Sequence, residues 1–284
     1  MFLKKTLSRA VLFFSALGFS AAPAGTEGPH VRAEFFSDVR SVRPGEKFWT
    51  AVRLRMDRGW HTYWKYPGDS GMPTRLRWTL PPGLTAGDVR WPCPIKFTAS
   101  SLVSYGYKDE VWLLVPLEAA AALPEGRVPL EVRVDWLECA DICVPGRADL
   151  RLELPVQNAP SDKDASLMKS FALALGRLPA ELSPEKVTVT EGPRDVHVRL
   201  SLPEPPPGTP APVFYPATAA TAEKLSEPRI RRERDAVILR FAKKTPSEPV
   251  PAVAGVLVFV PEGEAPPRGF EFQKKLEQAA PRRR

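Results

Sequence analysis

The chain has 284 residues, of which 43% are hydrophobic and 26% charged. This balance is typical of a folded globular protein and excludes a disordered or fibrous chain. The 33 prolines argue against long helices, because an interior proline removes a backbone donor and clashes with the preceding turn. The formal net charge is +7, but six of the positive charges belong to Lys4, Lys5, Arg9 and residues 282–284. The remaining body is close to neutral and has no basic stripe, so no nucleic-acid partner is expected.

The N-terminal residues have the three parts of a secretory signal. Lys4, Lys5 and Arg9 precede the apolar run 10–19, and small residues follow around 20–24. The pattern predicts a cleavable signal peptide over 1–24. A membrane anchor is the alternative, which the shortness of the run disfavours, because a bilayer core is about 30 Å thick. We therefore expect a mature protein outside the cytoplasm.

Residues 30–157 contain repeated short segments of strand character. In 128–136 apolar and polar residues alternate, which is the period of a strand with one buried face. Pro-Gly pairs at 44–45, 67–68, 82–83 and 145–146 separate the runs. The pattern predicts an antiparallel immunoglobulin-like sandwich.

A second domain follows a short connection. Residues 158–183 form the predicted helical linker, with a helix from Ser161 or Asp162 to about Leu175, because Leu167, Phe171 and Leu175 recur at helical spacing. The strand pattern returns over 184–275, and 276–284 form a basic tail. We predict an all-β protein with two immunoglobulin-like antiparallel β-sandwich domains joined by a short helix.

The three cysteines, Cys93, Cys139 and Cys143, all lie in the first predicted domain. If residues 140–142 form a hairpin tip, Cys139 and Cys143 face each other with β-carbons about 4.5–5.5 Å apart, close to what a disulfide needs. Closing so small a loop contributes only about 2 kcal/mol. Residue reasoning alone leaves a structural staple and a redox pair as equal alternatives.

Four separated motifs carry a family resemblance: GWHTYWKYPGDSGMP (59–73), WPCP (91–94), SYGY (104–107) and CADICVPG (139–146). In this order they resemble the periplasmic N-terminal domain of DsbD-type thiol:disulfide interchange proteins. The similarity is closest to the ScsB-like branch, which is associated with copper tolerance. It covers about 30–157 strongly and the remainder more weakly.

The resemblance implies that Cys139 and Cys143 are a catalytic, redox-active pair in a protein-disulfide reductase system. Family members commonly continue into a membrane domain and a thioredoxin-like domain, which this sequence lacks. The implied partners are therefore a separate membrane thiol-disulfide transporter and periplasmic thioredoxin-fold proteins, with no cofactor. The competing hypothesis is a non-enzymatic copper-binding or scaffold module with a passive disulfide.

For the other candidate residues, a packing role is the alternative to a functional one. Cys93 is an inert buried thiol or, alternatively, a third sulfur that could hold Cu(I). His61 lacks a ligand set and is expected to pack, and no metal site is predicted. Tyr63, Tyr105 and Tyr107 could shield the disulfide. Acidic residues at 135, 138 and 141 surround the pair and are expected to oppose thiolate formation.

Overall fold

The computed structural model describes residues 28–99, 101–202, 210–261 and 266–276. The predicted signal peptide at 1–24 and most of the basic tail lie outside these residues. In the described part of the chain, no helix is long and apolar enough to cross a bilayer.

Ten strands build the first domain, as the alternating segments predict. Two sheets face each other: sheet 1 has the order β1-β2-β8-β5, and sheet 2 has the order β10-β9-β3-β7-β6, with β4 also paired to β9. All pairings within them are antiparallel. The strands are β1 (Val31–Ser37), β2 (Lys47–Met56), β3 (His61–Gly68), β4 (Arg75–Thr79), β5 (Leu84–Ala86), β6 (Ile95–Ala99), β7 (Leu102–Lys108), β8 (Glu110–Ala119), β9 (Arg127–Cys139) and β10 (Cys143–Pro155).

The core of the first domain lies between these sheets. Alternate residues of β1 and β9 are buried there, among them Phe35 and Trp136. Strand β8 is buried on both faces: Leu113 points into the sandwich, whereas Trp112 packs under a helix. This explains why β8 reads as a continuous apolar run instead of an alternating one.

The helix α1 (Met168–Gly176) covers the outer face of sheet 1. Phe171 meets Trp112 edge-on, with ring centroids 5.7 Å apart. The helix begins later than the sequence predicts. Residues 161–164 instead bond to the β1–β2 connection, where the Asp164 amide donates to the Asp38 carbonyl at 3.0 Å. Because these backbone groups are used in that contact, they do not start the helix.

The second domain is also a sandwich of two four-stranded sheets, with the orders β11-β18-β17-β14 and β12-β13-β16-β15. The fold class predicted from the sequence is therefore confirmed. A 3₁₀ turn (Pro184–Lys186) and the helix α2 (Ala219–Lys224) complete the domain. Its strands are β11 (Ala180–Glu181), β12 (Val187–Glu191), β13 (Asp195–Ser201), β14 (Val213–Pro216), β15 (Arg229–Arg232), β16 (Ala236–Ala242), β17 (Ala252–Phe259) and β18 (Arg268–Lys275).

Strand β17 joins the two domains. Val253, Leu257 and Phe259 belong to the core of the second domain, whereas Val256 and Val258 pack in the core cluster of the first. A strand buried on both faces loses the polar residues of an alternating pattern, which accounts for the apolar run in the sequence. The domains therefore share a continuous apolar interface.

Candidate functional site

The two sulfurs lie at the tip of the longest hairpin of the described chain. Cys139 ends β9, Cys143 begins β10, and the register places them directly opposite each other with Cα atoms 4.2 Å apart. A disulfide joins them, and the Ala140 amide donates to the Ile142 carbonyl across the turn at 3.1 Å. Each strand has 13 residues, so the ladder below the tip fixes the position of both cysteines.

The two cysteines differ in exposure. Cys139 is buried, with 1% of its surface accessible, whereas Cys143 is exposed. Ile142, immediately before Cys143, is 67% exposed. An incoming thiolate can therefore approach the sulfur of Cys143, while the fold shields that of Cys139.

Tyr63 lies against the disulfide. Its hydroxyl oxygen is 3.7 Å from the sulfur of Cys143, and the side chain is buried. Burial raises the pKa of Tyr63, and a hydrogen bond with Ser70 opposes this shift. Tyr63 therefore remains a neutral phenol at physiological pH.

Residues 69–73, here called the cap segment, hold Tyr63 in place. Gly71 has φ +96°, and a Cβ atom at this position would overlap the Tyr63 ring. Two polar contacts tie the segment to β7: the Ser70 and Ser104 hydroxyls are 2.9 Å apart, and the Val103 amide donates to Asp69 at 2.8 Å. A glycine at position 71 therefore permits the close approach that keeps the tyrosine over the sulfur.

His61 pairs with Cys139 across the strands. Its ring stacks on Phe97 at a centroid distance of 4.4 Å and meets Tyr63 edge-on at 5.2 Å. Burial lowers the pKa of His61, which favours the neutral imidazole. His61 therefore packs among aromatic side chains, as the sequence predicts.

The acidic residues near the cysteines do not form a negative shell. Glu138 is fully buried, and its carboxylate accepts hydrogen bonds from the Trp136 indole at 2.8 Å and the His30 amide at 3.0 Å. Asp135 forms ion pairs with Arg77 and Arg147. The expectation of surrounding negative charge is thus wrong for two of the three residues, because two arginines pair with Asp135, and Glu138 is buried on the opposite face of the strand from Cys139.

Cys93 lies in the interface between the domains, where a Cβ atom on Gly269 would overlap its sulfur. Burial raises the pKa of Cys93 to about 12. Among the residues that the structure describes, no group of three or more His, Cys, Asp and Glu side chains is arranged to hold a metal ion. The three cysteines therefore do not form the Cu(I) site considered above.

Only one of the three candidate shielding tyrosines covers the disulfide. Tyr107 is buried and donates to the Pro92 carbonyl at 2.8 Å, and Tyr105 meets Tyr215 edge-on at 5.4 Å in the domain interface. Sequence reasoning did not single out Gly71 as the partner of Tyr63, or Arg75 and Arg77 as neighbours of the hairpin. For Gly71, the turn-rich composition of residues 67–73 is the sequence feature that indicates a close turn near Tyr63.

Comparisons with known proteins agree with this geometry. The family model "Thiol:disulfide interchange protein DsbD, N-terminal" matches residues 32–155. The N-terminal periplasmic domain of ScsB from Proteus mirabilis has a similar fold, with a TM-score of 0.62 and 16% sequence identity, over 90% of this chain and 99% of that one. The Actinomyces fimbrial adhesin FimA aligns with a TM-score of 0.21 and 13% identity, over 86% of this chain and 99% of that chain. No curated protein matches the chain.

The matched segment begins in β1, ends in β10, and includes the complete disulfide hairpin. It also contains β3 and the cap segment, which supply Tyr63 and its support. Family, fold and cysteine pair coincide in one domain. Residues 32–155 are therefore an N-terminal domain of the DsbD type, a thiol-disulfide exchange domain with a cysteine pair.

Proposed function

We propose that the protein passes electrons between a membrane thiol-disulfide transporter and periplasmic thioredoxin-fold proteins through Cys139 and Cys143. The observation that carries this proposal is the disulfide at a hairpin tip between one exposed and one buried cysteine. A purely structural bridge would gain nothing from exposing one sulfur, and this small loop stabilises the fold by only about 2 kcal/mol.

The exchange proceeds through Cys143. A thiolate of the electron donor attacks the sulfur of Cys143, which breaks the bond to Cys139 and forms a mixed disulfide. The released Cys139 thiolate takes a proton from water. A second donor thiol then attacks the mixed disulfide, which leaves the donor oxidised and both cysteines reduced.

The reduced pair repeats these steps in the opposite sense. The Cys143 thiolate attacks the disulfide of an acceptor protein, and one acceptor sulfur leaves as a thiolate. Cys139 then attacks Cys143 in the mixed disulfide, which restores the internal bond and releases the acceptor with both sulfurs reduced. Two electrons have moved from donor to acceptor.

The proposed location is the periplasm. A disulfide persists in an oxidising compartment, and the predicted signal over 1–24 would direct export. The related ScsB domain is described as periplasmic. Mass spectrometry of the protein isolated from the cell envelope tests this, since export predicts a chain without the signal, whereas an intact N-terminus in the cytoplasmic fraction would contradict it.

Trapping of mixed disulfides tests the exchange mechanism. In a Cys93→Ala background, Cys139→Ser should accumulate disulfide-linked partners on Cys143, because the resolving thiol is absent. The matched Cys143→Ser variant should accumulate far fewer, because Cys139 is buried. Non-reducing electrophoresis with mass spectrometry provides the readout. A passive disulfide module would trap no partner in either variant, and equal trapping would reject the assigned order of attack.

A further inference from the structure

A row of charged side chains crosses three strands beside the disulfide. The register pairs Asp135 of β9 with Arg75 of β4 on one side and with Arg147 of β10 on the other. Arg77, two residues along β4, also forms an ion pair with Asp135. Two guanidinium groups therefore pair with one carboxylate, a third arginine is opposite it in the register, and the row keeps an excess of positive charge.

The arginines of this row are available to a visiting protein. Arg77 and Arg147 are more than half exposed, whereas the Asp135 carboxylate between them is only 23% exposed. Arg75 is exposed and forms no ion pair with any residue that the structure describes. An approaching group therefore meets mainly cationic side chains.

An apolar path leads from the charged row to the sulfurs. Leu137 and Pro145 are opposite each other in the register, midway between the row and the cysteines. Met72, which is 52% exposed, and Pro73 line the same groove of about 450 Å³ as Arg75 and Arg147. Together with Pro145 they give the groove an apolar wall bordered by charged side chains, an arrangement typical of a surface that another protein covers.

The spacing between the sulfurs and the row is fixed by the strands. Cys139 is four residues beyond Asp135, and Cys143 is four residues before Arg147. At about 3.3 Å per residue this separation is about 13 Å, the length of four residues of an extended peptide. Asp141 is exposed on the opposite side, at the hairpin tip, so negative and positive charges flank Cys143 in opposite directions.

We propose that this groove, lined by Met72, Pro145, Arg75 and Arg147, binds a thiol-bearing segment of a partner protein that has an acidic side chain about four residues from its cysteine. An apolar residue lies between the two and covers Leu137 and Pro145. The proposal rests on the exchange reaction proposed above and adds the recognition chemistry of its partner. Charge complementarity identifies the occupant, because a basic segment would meet the uncompensated guanidinium groups.

Two matched peptides test the groove. Each has one central cysteine, a leucine two residues away on both sides, and a charged residue four residues away on both sides, glutamate in one peptide and lysine in the other. The measurement is the second-order rate of reduction of the Cys139–Cys143 disulfide in a Cys93→Ala background. Each rate is divided by the rate of the same peptide with an uncharged disulfide, hydroxyethyl disulfide, so that the intrinsic reactivity of its thiol cancels.

The acidic peptide is expected to react about fivefold faster at low salt, an effect of the size that a few exposed ion pairs provide. The ratio should approach one at about 1 M salt, where the screening length is about 3 Å. The order should reverse in Arg75→Glu/Arg147→Glu. Arg194→Glu/Arg234→Glu changes two exposed arginines of the second domain and the net charge by the same amount, and this matched control should retain the preference.

The outcomes separate the two proposals. Reduction by both peptides without a preference for the acidic one would overturn the docking inference and leave the exchange function standing. An equal change in Arg194→Glu/Arg234→Glu would also overturn it, because net charge and not the groove would then explain the rates. If neither peptide nor dithiothreitol reduced the disulfide in the folded protein, the exchange function itself would fail.

Discussion

Gly71 and Tyr63 form the contact that lies against the sulfur of Cys143. The Tyr63 hydroxyl lies 3.7 Å from this sulfur, and the absence of a side chain at Gly71 lets the cap segment lie on the ring. One atom added at position 71 would therefore move either the ring or the segment. We therefore expect a change at this contact to alter access to the disulfide without any change in the cysteines themselves.

Gly71→Ala should accelerate reduction of the disulfide by dithiothreitol. The new methyl group displaces Tyr63, and the positive φ adds a backbone cost of about 1–2 kcal/mol. Gly45→Ala is the matched control, because Gly45 has φ +82° but nothing within 4 Å of an added Cβ. Both variants should lose stability in urea unfolding, with a larger loss in Gly71→Ala because of the overlap with the Tyr63 ring, but only Gly71→Ala should release thiols faster. Equal reduction rates would show that the cap segment does not limit access.

At the scale of the element, the β9–β10 hairpin has one buried carboxylate that anchors the start of the described chain. Glu138 accepts hydrogen bonds from the Trp136 indole and the His30 amide. It faces away from the sulfur of Cys139, because successive residues of a strand point to opposite faces. The residue adjoining the cysteine therefore has a structural contact on the other side of the sheet.

Glu138→Ala should lower the free energy of unfolding by about 2–4 kcal/mol, because it leaves the buried Trp136 indole and the part-buried His30 amide without an acceptor. Glu138→Gln keeps one acceptor oxygen and should lose less. Urea unfolding of the oxidised proteins measures both differences. The rate of disulfide reduction in the folded state should stay unchanged in Glu138→Gln, and a large change would indicate that Glu138 acts on the sulfurs.

At the scale of the whole molecule, the two domains meet through groups that tolerate ionisation poorly. Burial raises the pKa values of Cys93, Tyr105 and Tyr215 to about 12. The ion pairs across the interface, such as Lys96 with Glu227, are partly exposed and contribute little. The buried neutral groups therefore determine how the interface responds to alkaline pH.

Stability should fall as the pH rises above 9. The ordinary pKa of the Cys93 thiol is 9.0, so the unfolded chain loses this proton first while the folded chain keeps it to about pH 12. Each such group lowers the free energy of unfolding by about 1.4 kcal/mol per pH unit in that range. The tyrosines contribute from pH 10, their ordinary pKa.

Cys93→Ala should remove the part of this loss that begins at pH 9. Urea unfolding at pH 8, 9, 10 and 11 measures it, in a Cys139→Ser/Cys143→Ser background that prevents thiol exchange. The two curves should diverge between pH 9 and 11, with the alanine variant declining less. Parallel curves would show that the thiol is not held neutral in the interface.

The hairpin and its cysteines could be predicted from the sequence because their signals are local. Alternation over 128–136 and a three-residue connection are sufficient to place Cys139 opposite Cys143. Arg75 and Arg77 could not be assigned to the same surface, because the pairing of β4 with β9 joins residues distant in sequence. The environment of Cys93 could not be predicted either, because its neighbour Gly269 belongs to the other domain.

The start of helix α1 at Met168 could not be predicted from local sequence either. Ser161 and Asp162 are good capping residues, but the region they occupy bonds to the β1–β2 connection. Tertiary hydrogen bonds thus outweighed a local preference. Where the sequence prediction was wrong, at the helix start and at Asp135 and Glu138, the deciding contact came from elsewhere in the chain.

The length of the β9–β10 ladder has a consequence for energy transfer. When the sulfurs separate, the 12 residue pairs below them are expected to keep their register, and the released loop is too short to gain much entropy. We therefore expect the oxidised and reduced proteins to share one scaffold. In the exchange proposed above, little of the driving force would then be lost in rebuilding that scaffold.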